Sequence, residues 1–295
     1  MTTTRESPLV ERRRVPRRGG GGMRRVRKSL LVLPLLFLVL WTVVPFLVTL
    51  SISLKTPTEV FTNTGLIPQQ PGLDAYRDVL GRDGFRTSFA NSLFVGLGTT
   101  AVTLVISVPA AYAFARYKFR GRHLLLLFTF LPRLVPSLGL MTPLYELAVM
   151  FGMIDKRLTL VVVYSGLLLP LAVWLLVGFF QAIPVELEQA AEMDGAGMWS
   201  RLRYVLLPLT MPALITVGVL SFREAWNEFA LVLALTTTPE KRTLPYELYM
   251  MQGTQGIPDY PAEAAFTVLT ILPFILIYTR IEKYVVSGIT SGAVK

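Results

Sequence analysis

Two polar clusters stand out in a chain that is otherwise poor in reactive groups. The first is Arg223-Glu224-Ala225-Trp226-Asn227-Glu228, which follows the uncharged run Tyr204–Phe222. Amide, indole and charged groups side by side suit a sugar, which offers apolar C–H faces and many hydroxyls. On a helix Arg223, Trp226 and Asn227 share one face by i+3 and i+4 spacing, with Glu224 beside Asn227. The second cluster is the stretch Ile183–Pro208, which carries Glu186, Glu188, Glu192 and Asp194. Covalent and metal chemistry have no such material. There is no cysteine, and His123 is the only histidine, so thiolate sites and histidine-built clusters are excluded. No G-x-x-x-x-G-K-[ST] occurs, so the chain has no P-loop of its own for ATP. No catalytic residue, metal ligand or resident cofactor is expected.

These clusters sit among long apolar runs. The chain has 295 residues, 53% of them hydrophobic and 16% charged, a membrane composition rather than a soluble one. The net charge of +10 is concentrated at one end. Residues 1–28 hold ten Lys/Arg and two Glu, so no basic face for nucleic acid is expected on the folded part. That tail, with Arg12, Arg13, Arg14, Arg17, Arg18 and Gly19–Gly22, reads as disordered and suited to an anionic membrane surface. Six spans are expected near 30–52, 88–115, 124–149, 158–181, 205–235 and 264–285, since a crossing needs about 20 apolar residues. The apolar core of the first exceeds a signal-peptide core, so an uncleaved helix is favoured.

Orientation follows from Lys/Arg placement. With the N-terminus inside, the inner segments hold 19 basic residues and the outer loops 8; without the tail the ratio is 9 to 8. Both termini are therefore expected in the cytoplasm, with the tail deciding the matter. Pro34, Pro45, Pro109, Pro132, Pro136, Pro170, Pro212 and Pro273 fall inside the spans. Each removes a helix hydrogen bond, which membrane helices tolerate where a neighbour or cavity water satisfies the freed carbonyl. Arg133 lies within the third span, where a central charge costs roughly 2.5–3.5 kcal/mol, so it should face protein or water. The cluster at 223–228 admits three placements: lining a pathway, bridging to a second subunit, or lying in an outer loop.

The stretch 183–208 has a definite shape. Pro184 suits the first turn of a helix, Glu186 and Glu188 suit its positive N-terminus, and Gly195 suits its stop. Leu187, Ala190, Ala191 and Asp194 fall on one face, and two alanines there let another surface approach closely. A short capped helix tethered between two spans results. Here the sequence resembles the permease subunits of binding-protein-dependent ABC importers, whose signature is E-A-A, three residues, G, nine residues, I-x-L-P. This chain reads Gln189-Ala190-Ala191, Gly195 and Val205-Leu206-Leu207-Pro208 at that spacing, departing at Gln189 and Val205. Phe89-Ala-Asn-Ser-Leu, Pro109-Ala-Ala-Tyr-Ala-Phe-Ala-Arg, Phe119-Arg-Gly-Arg, Ala225-Trp-Asn-Glu-Phe and the ending Ser287–Lys295 resemble the carbohydrate-uptake subgroup, near maltose- and trehalose-type permeases.

That resemblance implies an all-α integral membrane protein of six transmembrane helices with a short cytoplasmic coupling helix; the tail 1–28 is not part of the shared pattern. It implies half of a translocation pathway for a mono- or oligosaccharide in the bacterial inner membrane. The partners it implies are a second permease, two ATPase subunits that bind ATP and Mg, and an extracytoplasmic solute-binding protein. Glu188, Gln189, Ala190, Ala191, Asp194, Gly195 and Pro208 would form the ATPase-coupling set. Arg223, Glu224, Trp226 and Asn227 would line the solute pathway. Two other readings remain open: a polyol or glycerol phosphate as solute, or an ion-gradient-driven transporter. The latter would want intramembrane carboxylates and inverted repeats. Glu224 and Glu228 are carboxylates inside a candidate span, and no repeat is visible.

Overall fold

The computed structural model describes residues 21–253 and 258–293, with side chains described for 32–252 and 258–280. The basic tail up to residue 20, and the side chains of the ending at 287–295, lie outside the described residues. The chain divides into two compact units, Met1–Val48 and Thr49–Lys295. Helix α1 (Gly21–Ser53) contributes the apolar stretch Val32–Ser53, which has the length of a membrane span. Two short helices follow, α2 (Glu59–Thr62) and α3 (Asp74–Gly81). Then come α4 (Asp83–Arg116), α5 (Arg122–Leu134), α6 (Ser137–Met150) and α7 (Arg157–Ala182).

The connecting loop holds α8 (Glu186–Met193) and α9 (Met198–Arg201). A π-turn at Leu202–Leu206 leads into α10 (Leu207–Leu209) and α11 (Met211–Asn227). α12 (Ala230–Leu235), a 3-10 turn at Pro239–Lys241, α13 (Leu244–Gly253) and α14 (Tyr260–Ala293) complete the chain. The described residues contain no strand.

Among the described residues, four helices are long and apolar enough to cross a membrane: the stretch in α1, α4, α7 and Tyr260–Arg280 in α14. The count rises to six if each of two bent pairs is one span. The span expected near 124–149 is made of two helices. α5 and α6 meet at 97°, because Val135, just before Pro136, is driven to an extended backbone (φ −87°, ψ 125°) by the proline ring. The span read at 205–235 is likewise divided. Met198–Leu209 and Met211–Asn227 are bent by 80°, where Pro208 and Pro212 supply no N–H. A second break at Glu228 (φ −69°, ψ 129°) separates α11 from α12.

The centre of the second unit is α4 packed along α7. α4 presents Ser88, Ser92, Gly96, Thr99, Thr103, Ser107 and Ala111, all buried. These small groups recur at three- to four-residue steps, one face of a helix, and let backbones approach closely as membrane interfaces require. Gly96 shows why: a Cβ there would lie 2.7 Å from the Phe222 ring of α11. Around this seam one core gathers Tyr112, Leu176, Phe180, Leu202 and Leu206. Another gathers Val95, Leu160, Tyr164, Leu231 and Leu235.

Candidate functional site: a tethered surface helix and a charged cavity

α8 forms where expected and ends as expected. Gly195 has φ +83°, a left-handed position that glycine adopts without a Cβ penalty. The Ala196 N–H donates to the Ala191 carbonyl and the Gly195 N–H to the Glu192 carbonyl, each at 2.9 Å. This crossed pair closes the helix and satisfies carbonyls that would otherwise be orphaned. Gln189, Ala190 and Asp194 are exposed and Ala191 is half-buried. Met193 is 88% exposed and Trp199 67%. Arg201 bonds Glu192 at 2.6 Å, tying the end of α9 back to α8. Pro208 lies apart from these residues in sequence and sits exposed at the elbow beyond the π-turn.

Glu188 is not on the exposed side with the others. It is 4% exposed and turns toward α4, where it pairs with Arg116 and accepts a hydrogen bond from Tyr112. Sequence reasoning missed both partners. They stand more than 70 residues away at the end of another helix, and no local spacing signals such a pair.

The cluster at 223–228 is split by the packing. α11 lays Trp226 inward, 2% exposed, against Phe89, Phe222 and Phe274 with ring centroids 5.3–6.1 Å apart. Trp226, expected to line a solute pathway, packs in this aromatic cluster instead of at an exposed surface. The i+3 step leaves it about 60° round the helix from Arg223, on the flank facing α4 and α14. Arg223, Glu224 and Asn227 are exposed. Arg223 bonds Glu224 at 2.9 Å, and the Asn227 amide donates to the Arg223 carbonyl at 3.0 Å.

Glu224 also lines a cavity of about 360 Å³ together with Arg133, Tyr164, Leu168, Glu228 and Leu231. Arg133 reaches it from the last turn of α5, just before the proline break. Glu228 is held on three sides. The Tyr164 hydroxyl donates to it at 2.7 Å, and the N–H groups of Leu231 and Val232 donate at 2.9 and 3.2 Å. Its carboxylate thus caps α12 where α11 has ended. One guanidinium, two carboxylates and a phenol facing one apolar-walled space can orient a polyhydroxylated solute by hydrogen bonds. Among the described residues, no group of three or more His, Asp or Glu side chains could hold a metal. Sequence reasoning singled out Arg133 as a charge that must face protein or water, and Glu224 and Glu228 as intramembrane carboxylates. Their convergence depends on the bends at 135–136 and 228–229.

Residues 103–291 match the family described as binding-protein-dependent transport system inner membrane component. A putative ABC transporter permease protein of Caldicellulosiruptor sp. is 37% identical over 264 residues, covering 88% of this chain and 95% of that protein. The trehalose transport system permease protein SugB of Mycobacterium tuberculosis is 36% identical, covering 86% and 93%. A chain from the crystal structure of a bacterial ABC transporter that imports the acidic polysaccharide alginate has the same fold. It superimposes with a TM-score of 0.76 over 95% of this chain and all of that one, at 23% identity. The apolar helices, the tethered surface helix and these matches agree, and the chain belongs to the family of binding-protein-dependent transport system inner membrane components.

Proposed function

We propose that this multi-pass membrane protein is one permease subunit of an ABC importer for a sugar, with six spans and both termini in the cytoplasm. Each bent helix pair then counts as one span, and the basic residues 1–28 hold the N-terminus to the anionic inner leaflet of a bacterial cell membrane. A second permease completes the pathway, a solute-binding protein delivers solute from outside, and two ATPase subunits supply the energy. ATP and Mg belong to those ATPases. The single observation that carries this reading is α8: a short helix stopped by Gly195, exposing Gln189, Ala190 and Asp194 at the spacing of the permease signature.

The solute pathway is assigned to the cavity of Arg133, Tyr164, Glu224 and Glu228 rather than to Trp226. The trehalose permease among the relatives supports a sugar over a polyol phosphate. The test is reconstitution of the complex purified through this chain into liposomes, with radiolabelled trehalose and maltose outside. ATP-dependent uptake that persists without an ion gradient is expected. Uptake that needs the gradient and ignores ATP would establish the ion-driven alternative instead.

A further inference from the structure

The exposed face of α8 has a buried counterpart. Glu188 lies in the first turn of α8, and its Oε1 accepts from Arg116 Nε at 2.5 Å. Its Oε2 accepts from the Tyr112 hydroxyl at 3.1 Å. The same guanidinium donates through Nη2 to the Ile183 carbonyl at 3.1 Å. One arginine in the last turn of α4 therefore grips both sides of the Pro184 corner: the carbonyl before it and the carboxylate after it. The pair is sequestered, with side chains 11% and 5% exposed. Tyr112 is itself wedged edge-on against Phe180, near the end of α7, at 6.5 Å. Charge-assisted bonds in such a place are short and directional, and removing one partner strands a buried charge. Beyond Arg116, α4 runs along α7 and meets Phe222 of α11 at Gly96; α11 carries Glu224 to the cavity.

We propose that Glu188 and Arg116 lock α8 to the adjoining end of α4, so that a displacement applied at α8's exposed face is delivered to α4 instead of being absorbed at the 183–185 corner. This rests on reading 183–208 as the ATPase contact, and it takes Glu188 out of that contact. Glu188 is a positioning residue; Gln189, Ala190, Ala191 and Asp194 are left to meet the partner. Coupling then travels through a rigid joint rather than a flexible tether, a distinction that two states of the complex can reveal.

The chain lacks cysteine, so in a complex whose partner subunits are also made cysteine-free two introduced thiols report alone. Spin labels at Lys118→Cys and Met193→Cys, both exposed in the structure, straddle the joint. Their separation is measured in the full complex, nucleotide-free and ATP-trapped with a hydrolysis-deficient ATPase. The expected result is one narrow distance common to both states. Glu188→Ala should broaden it and make it differ between states. Glu188→Gln keeps the size and the Tyr112 bond but surrenders the charge, and it carries the test if the alanine variant does not assemble. A distance that shifts by several ångströms between states in the native joint overturns the proposal. So does a charge-deleted variant with the native distribution. In parallel, trehalose taken up per ATP hydrolysed should fall several-fold in Glu188→Ala, with Arg116→Ala/Glu188→Ala no worse than either single change; additive losses would also overturn it. If the unlabelled chain does not copurify with an ATPase, the coupling reading itself fails before any distance is read.

Discussion

Gly195 is held at φ +83° with no heavy atom within 4 Å of where a Cβ would stand. A side chain there meets no neighbour, so its whole cost is conformational, about 1–3 kcal/mol for a residue that resists the left-handed region. Asn tolerates that region and Val does not. Gly195→Val should therefore reduce uptake and solute-stimulated ATP hydrolysis, with Gly195→Asn close to native. Equal loss in both would show that room, not backbone conformation, is the constraint. At the other cluster, Trp226 and Glu224 separate by role. Trp226→Ala empties an aromatic core and should cost roughly 3–5 kcal/mol, read as a lower unfolding temperature in detergent, and Trp226→Phe should recover most of it. Glu224→Gln should leave that temperature unchanged and alter the concentration dependence of uptake. A Trp226→Ala protein of native stability would contradict its placement in the core.

At the scale of elements, a loop clasp opposes pH. Asp155, at φ +62°, joins α6 to α7 and donates its own N–H to the Leu235 carbonyl at 3.0 Å. Its carboxylate accepts from the N–H groups of Thr237 and Thr238 at 3.0 and 3.1 Å. Burial pushes the carboxyl up, but these donors, with the Thr238 hydroxyl and nearby Lys241, outweigh it and hold it below the usual aspartate value. A lowered folded value means stability that is full above the ordinary aspartate value, near 3.9, and is lost as pH falls through the folded one. Asp155→Ala should therefore unfold at lower temperature than the native chain at pH 7, with the gap closing as pH falls below the ordinary aspartate value. A gap that persists unchanged in acid would mean the carboxylate's charge is not what the clasp uses. The Gly195 stop was legible in the sequence because a helix end is a local event. The α5–α6 break was not, although Val135-Pro136 announces it, because apolar run length counts residues and carries no direction. The face shared by Arg223, Trp226 and Asn227 was legible as spacing. Which flank of that face is buried depends on Phe89 and Phe274, far away in the chain.

For the whole molecule, apolar run lengths anticipated a many-spanning helical protein, and the permease signature anticipated its family. The joint between Glu188 and Arg116 and the cavity between α5, α7 and α11 arise only when distant helices pack, so neither has a sequence spacing to find. Topology is open to labelling in the cysteine-free chain: Asp74→Cys should react from outside, and Glu192→Cys only after permeabilisation, with reversed reactivity inverting the orientation. The proposed function requires that the exposed face of α8 meet a separate ATPase. A thiol at Ala190→Cys, crosslinked with a short bifunctional reagent in membranes containing the complex, tests it most directly. A crosslink to an ATPase subunit that weakens or shifts when ATP is trapped is expected, while Glu188→Cys, turned toward α4, gives none. A crosslink at Glu188→Cys equal to that at Ala190→Cys, or none at Ala190→Cys in a complex that hydrolyses ATP, would contradict it.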